Sequence, residues 1–223
     1  MKIYFDGDSW TRGNELEKEH RESLRFSGIV SKKLGAEETN LSKGGCSNNS
    51  IVRKLLIEND ISQYDLAVIQ MVYPERTEYF NLIIKEWKTI SIGQTTLVGN
   101  NWDKDIRVKN MEKDGVPLTP SEKREIRDRE LDKRGYNRDF WKKYYKEIYN
   151  DTYGFTYEQL FATTIRSHCK ANNVPLILMS QYMHTKVKPD IFLQNRKRYP
   201  QTGKGHPNME GHRNIAEDIL RLI

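Results

Sequence analysis

Cysteine and long apolar runs are both scarce in this sequence of 223 residues. Its two cysteines, Cys46 and Cys169, can form one disulfide at most and lack metal-ligand spacing, which excludes a disulfide scaffold and predicts no metal site. Residues 1–6 reach an acid before any long apolar stretch, so we expect neither a signal peptide nor a membrane span. With 30% charged residues and a mean hydropathy of -0.81, the composition predicts a soluble, cytoplasmic protein.

The net charge of +6 is mild for a chain of this size, but the basic residues are unevenly placed. The stretch 186–204 carries one acid, Asp190, and the bases Lys186, Lys188, Arg196, Lys197, Arg198 and Lys204. Such a cluster could attract an anionic substrate or polymer, or it could be a solvated loop. Because no nucleic-acid-binding motif accompanies it, we do not expect nucleic acid as a partner.

Extended and helical patterns alternate along most of the chain. The pattern predicts strands over 2–6, 39–41, 66–72 and 175–179, and helices over 22–34, 50–57, 157–171 and 209–223. The run 66–72 is apolar except for Gln70, as expected of a strand buried on both faces. Strand and helix in turn predict one three-layer α/β/α domain over 1–223 with a parallel sheet.

One segment, at about 103–150, interrupts this alternation. It is highly charged, and its last part carries aromatic residues at helical spacing. We interpret it as an inserted amphipathic helical segment, with Thr119 or Ser121 as a helix cap. Insertions of this kind often form lids over a site, although packing alone also explains the aromatic residues.

A serine and a histidine stand where such a fold would bring them together. Ser9 follows the first predicted strand, and His206 precedes the last predicted helix. In an open α/β sheet, ligands bind at the carboxyl ends of the strands, so this pair is typical of a nucleophile with its general base. The alternatives are that Ser9 merely caps a helix and that His206 only forms a hydrogen bond within a turn.

Three short blocks carry a resemblance to a known family. Gly7-Asp8-Ser9, Gly44-Gly45-Cys46-Ser47-Asn48 and His206-Pro207-Asn208 with Gly211 resemble, in this order, the first, second and last blocks of the SGNH (GDSL-type) hydrolases. The stretches Ser47-Asn48-Asn49 and Tyr73-Pro74-Glu75-Arg76 are similar to those of SGNH-like proteins from tailed bacteriophages. The resemblance implies a flavodoxin-like sandwich and a serine esterase that needs no cofactor.

The resemblance also implies roles for individual residues. Ser9 would be the nucleophile and His206 its base, Gly45 N–H would help to hold the oxyanion, and Asp8 would fix the loop. The family's third-block asparagine is missing after the third strand, so we expect Asn48 or Arg76 to supply that donor. Gly203 stands where the family places an acid, so we expect His206 to be oriented by a main-chain carbonyl or by a carboxylate from outside the last block.

The leading functional hypothesis is hydrolysis of an acyl ester, such as an O-acetyl group, on a carbohydrate or another small polar substrate through a Ser9–His206 dyad. The alternative is a catalytically weak or inactive phage protein that keeps the fold as a structural or partner-binding module. The sequence predicts no membrane partner and does not determine the oligomeric state, the substrate or the acyl group.

Overall fold

The computed structural model describes residues 1–83, 85–90, 119, 121–122, 138–181, 187–203 and 205–223. These residues fall into two compact units. One consists of Met1–Arg76 with Thr152–Ile223, and the other of Thr77–Asp151. In sequence, the second unit therefore lies inside the first.

A parallel sheet of five strands forms the centre of the first unit. The strands of the chain are β1 (Lys2–Asp6), β2 (Glu37–Asn40), β3 (Leu66–Met71), β4 (Thr77–Asn81), β5 (Glu86–Ile90), β6 (Leu176–Ser180) and β7 (Ile191–Phe192). The sheet has the order β2-β1-β3-β6-β7, and all of its neighbours are parallel. Ile3 pairs with Leu66, and Val68 pairs with Ile177. The carboxyl ends of β1, β3 and β6 thus meet at one edge of the sheet.

Helices connect these strands. The α-helices are α1 (Ser9–Arg12), α2 (Arg21–Leu24), α3 (Phe26–Leu34), α4 (Asn48–Arg53), α5 (Arg138–Glu147), α6 (Asp151–Ala171) and α7 (Met209–Leu222). A π-helical turn, Lys54–Glu58, extends α4, and a short 3-10 helix covers Ile61–Gln63. Among the helices of the described residues, none combines the length and the apolar character that crossing a membrane requires.

Alternate side chains of the central strands β1, β3 and β6 pack into two separate cores. In β1, Ile3 and Phe5 join one core and Tyr4 joins the other, as the period of two in a strand requires. The first core contains residues of α3 and α7, such as Phe26 and Ile215, whereas residues of α4 and α6 belong to the second. The sheet is therefore covered on both faces, and the fold is the α/β/α sandwich that the alternating pattern predicts.

The predicted helix over 22–34 is wrong in one respect. Arg25 is extended, with φ −70° and ψ 150°, so the helix is broken into α2 and α3. A Cβ added at Gly28 would lie 1.8 Å from the carbonyl oxygen of Glu22. The break thus brings the backbone of α2 onto α3 at a position where only glycine fits.

The second unit contains an antiparallel hairpin, β4–β5, and helix α5. Trp141 of α5 packs against the ring of Tyr79, and Tyr145 donates a hydrogen bond to the carbonyl oxygen of Ile90 at 3.1 Å. Thr119 is a helix cap, because its hydroxyl accepts from the N–H of Glu122 while the Glu122 carboxylate accepts from Thr119 N. Most of the predicted insertion, 103–118 and 123–137, lies outside the described residues, and its lid function stays a prediction.

Candidate active site

Ser9 and His206 meet at the carboxyl edge of the sheet. Ser9 begins α1 directly after β1, and its Oγ lies 2.8 Å from Nε2 of His206. His206 belongs to a turn whose ends are joined by main-chain hydrogen bonds, from Thr202 N to His206 O and from Asn208 N to Pro200 O. Main-chain hydrogen bonds therefore hold the turn that carries His206, and the imidazole lies at hydrogen-bond distance from the Ser9 hydroxyl.

Asp8 fixes the turn that presents Ser9. Its Oδ1 accepts from the N–H of Trp10 at 3.0 Å and from Nε2 of Gln70 at 2.9 Å, and its Oδ2 accepts from Nη1 of Arg76 at 2.9 Å. Gln70 also accepts from the N–H and the hydroxyl of Thr11. Since Asp8 and Gln70 are almost fully buried, these bonds hold α1 rigidly against β3.

The second block lies beside the first. The thiol of Cys46 donates to the carbonyl oxygen of Gly7 at 2.9 Å, and Arg76 Nη1 reaches the carbonyl oxygen of Cys46 at 3.3 Å. Gly45 has φ +75°, and a Cβ added there would meet nothing within 4 Å. Within the described residues, neither Ser9 N nor Gly45 N makes a hydrogen bond, so both are available as donors to a ligand.

Asn48 does not take the place predicted for it. Its Nδ2 donates to the carbonyl oxygen of Val72 at 2.9 Å, and its Oδ1 accepts from Val72 N at 2.8 Å. The Asn48 side chain is buried, and both of its polar atoms are hydrogen-bonded to the main chain of the residue that follows β3. This corrects the expectation that Asn48 supplies the missing oxyanion donor, because the buried main chain at the end of β3 needs the Asn48 amide as its hydrogen-bond partner.

Arg76 is placed between the first two blocks. Its guanidinium lies over the ring of Tyr73, with 5.1 Å from Cζ to the ring centroid, and its side chain is 18% exposed. Among the described residues, only Nη1 of Arg76 has hydrogen-bond partners, so its Nε and Nη2 groups remain available as donors to a ligand. Arg76 thus contacts Asp8 and Cys46, which directly precede Ser9 and follow Gly45 in the sequence.

Sequence reasoning did not identify Glu15. Its Oε1 lies 3.2 Å from Nδ1 of His206, on the side of the ring opposite Ser9. Nδ1 is buried and, at this distance from the carboxylate, forms no hydrogen bond. The neighbour of the second ring nitrogen is thus a carboxylate from outside the last block, and no motif spacing signals it.

Two other titratable groups near the site are structural. Burial raises the pKa of Asp6 to about 6, although Lys54 Nζ, 2.5 Å from its Oδ1, acts in the opposite direction. Burial also raises the pKa of the Cys46 thiol to about 12, so this thiol is not a nucleophile near neutral pH.

A second histidine lies in the core. His212 accepts a hydrogen bond from Phe26 N at 3.3 Å and stacks on the Phe26 ring. Burial lowers its pKa to about 4, and the positive charge of Arg25 acts in the same direction. His212 is therefore neutral near pH 7 and caps α3.

The basic stretch 186–204 is partly neutralised. Arg198 makes two hydrogen bonds to Asp218, at 3.0 and 2.7 Å, and an ion pair with Glu217. Lys186 and Lys204 lie outside the described residues. Arg196 lines an open cavity of about 480 Å³ with Pro200, Gln201, Thr202, Gly203 and Gly205, residues of the turn that carries His206.

No protein-family model matches the chain, and a search of curated proteins finds no significant match. Among solved structures, the chain is similar to TesA, with 12% identity over 99% of this chain and 97% of that one and a TM-score of 0.41. It is also similar to the esterase EstA from Pseudoalteromonas sp., with 14% identity over 99% and 94% of the chains and a TM-score of 0.40. A third similar structure is a catalytic mutant of the acetylxylan esterase Axe2 from Geobacillus stearothermophilus, with 12% identity over 99% of this chain and 92% of that one and a TM-score of 0.39.

Proposed function

We propose that the protein is a serine ester hydrolase of the SGNH type. The observation that carries this proposal is the 2.8 Å contact between Ser9 Oγ and His206 Nε2. A neutral imidazole with its proton on Nδ1 presents a lone pair at Nε2, which is the atom that must take the serine proton. The same residues provide the first and last blocks of the SGNH resemblance.

The reaction has two halves. In the first, Ser9 Oγ attacks the ester carbonyl carbon while its proton passes to His206 Nε2, and the tetrahedral intermediate then expels the alcohol, which takes that proton. In the second, water attacks the acyl-Ser9 carbonyl and gives a proton to Nε2, and Ser9 leaves by taking that proton back. The products are one alcohol and one carboxylic acid, and the protein returns to its starting state.

Three donors are suited to the oxyanion. The N–H groups of Ser9 and Gly45 are available, and Arg76 carries guanidinium donors that no described residue uses. A charged donor would stabilise the developing negative charge more than a neutral amide does. Arg76 would thus replace the asparagine that this chain lacks after β3.

The substrate that we propose is an acyl ester on a carbohydrate or another small polar molecule. The cavity beside the His206 turn favours a polar ligand close to the site, because Pro200 alone has an apolar side chain among the described residues that line it. A few polar groups in a cleft fix the orientation of the ligand and provide specificity.

Hydrolysis of a panel of 4-nitrophenyl and O-acetyl sugar esters tests the proposal. We expect short acyl esters to be hydrolysed, and Ser9→Ala and His206→Ala to lower kcat by roughly 10³-fold or more. Ser23→Ala and His168→Ala are matched controls, because Ser23 is an exposed residue of α2, His168 belongs to α6, and neither side chain is hydrogen-bonded to Ser9 or His206 within the described residues. Equal activity in Ser9→Ala and wild type would refute Ser9 as the nucleophile, and no activity on any ester would favour the partner-binding alternative.

A further inference from the structure

We infer that Glu15 is the positioning residue of His206 and takes over the task of the acid that is missing at Gly203. The inference rests on the proposed function. It starts from the distance of 3.2 Å between Glu15 Oε1 and His206 Nδ1 and from the fact that Nδ1 is buried without a hydrogen-bond partner. A small rotation of either side chain would turn this ion-pair contact into a charge-assisted hydrogen bond.

The loop that carries Glu15 is held on both sides of this residue. Asn14 N donates to the carbonyl oxygen of Ser9, and Leu16 N donates to the carbonyl oxygen of Gly13, each at 3.0 Å. Leu16 is buried, and Arg21 donates to the carbonyl oxygens of Asn14 and Leu16. The main chain that carries Glu15 is therefore held next to the nucleophile, within reach of His206.

A carboxylate at this place has two effects on the imidazole. It can accept a hydrogen bond from Nδ1–H, which keeps the proton on Nδ1 and leaves the Nε2 lone pair free to take the proton of Ser9. It also stabilises the imidazolium that forms when Ser9 attacks. Both effects act through His206, and Glu15 itself touches neither the substrate nor the reacting atoms.

Glu15→Ala tests the inference, with Glu17→Ala as its matched control because Glu17 is an exposed acid two residues further along. We expect Glu15→Ala to lower kcat by roughly 10²-fold with little change in KM, since the acid acts on the chemical step. Nitrogen-15 NMR of His206 should show the Nδ1–H tautomer in the wild type and in Glu17→Ala, and a mixture of tautomers in Glu15→Ala. This second measurement needs no activity.

Gly203 offers a rescue that a purely structural role of Glu15 would not produce. A side chain there would meet nothing within 4 Å, and the position is the one where the family carries its acid. We expect Gly203→Asp in the Glu15→Ala background to restore kcat at least about tenfold. The inference is overturned if Glu15→Ala matches Glu17→Ala in kcat, or if the tautomer of His206 is unchanged. In either case an active Ser9 would leave the proposed function standing.

Discussion

Replacing Asn48 by alanine removes both hydrogen bonds that hold the chain where it leaves β3. Val72 is fully buried, and its N–H and carbonyl each lose their partner from the Asn48 amide. Leaving a buried polar group unpaired costs about 1–3 kcal/mol. Because the costs of two neighbouring groups are not fully additive, we expect a total loss of unfolding free energy of about 2–4 kcal/mol.

Thermal unfolding followed by circular dichroism measures this loss. For a chain of this length, each kcal/mol shifts Tm by about 2–4 °C, so Asn48→Ala should lower Tm by about 5–15 °C. Asn49→Ala is the matched control, because the Asn49 side chain makes no hydrogen bond within the described part of the chain. A surface change of this kind alters the unfolding free energy by less than about 0.5 kcal/mol.

Activity at a temperature well below the transition separates the structural role of Asn48 from a catalytic one. Loss of an oxyanion donor costs roughly 10²–10³ in rate, whereas a structural residue leaves the folded fraction nearly as active as wild type. We expect the second result. A structural role of Asn48 is refuted if the Tm of Asn48→Ala lies within about 1 °C of that of Asn49→Ala. It is also refuted if Asn48→Ala keeps the stability of the wild type and loses activity.

Two more perturbations test the electrostatics of the fold. Burial raises the pKa of Glu158 from 4.5 to about 7, so this carboxyl contributes stability that is present below pH 4.5 and is lost as the pH rises through 7. Glu158→Gln should therefore raise Tm more at pH 8 than at pH 4, and equal shifts at both would contradict the assignment. Arg76→Met leaves the buried Asp8 carboxylate without its cation and should lower the unfolding free energy by about 2–4 kcal/mol in urea titrations. Arg76→Lys should lose less, and a loss below about 0.5 kcal/mol in Arg76→Met would count against the ion pair.

Much of the sandwich could be predicted because the burial of its strands and helices leaves regular patterns of apolar residues in the sequence. β1 and β3 are apolar runs, and α7 has a clear apolar stripe, so periodicity alone identified them. The hairpin β4–β5 was not predicted, since its strands mix charged and aromatic residues and the turn uses Lys85 at φ 52° rather than glycine. β7 was also missed, because two residues carry too little pattern to be seen.

Some residues of the candidate site could also be predicted from the sequence, whereas others could not. Ser9 and His206 could be paired from the sequence because the topology of a parallel sheet brings the end of β1 and the start of α7 to one edge. The sequence marks Gln70 only as a polar residue within an apolar strand. Its hydrogen bonds to Asp8 and Thr11 could not be predicted, because no sequence motif indicates which buried polar groups meet there. Glu15 could not be found at all, since its approach to His206 depends on the path of the loop after α1.

Labelling with a fluorophosphonate probe tests the central claim most directly. The probe reacts preferentially with an activated serine, and mass spectrometry identifies the peptide and the residue that carry its adduct. We predict stoichiometric labelling of wild type at Ser9, no adduct in Ser9→Ala, and labelling of His206→Ala slowed by roughly 10²-fold or more. Folded wild-type protein that stays unlabelled, or that carries the adduct on another residue, would contradict the assignment of Ser9 and His206 as nucleophile and base.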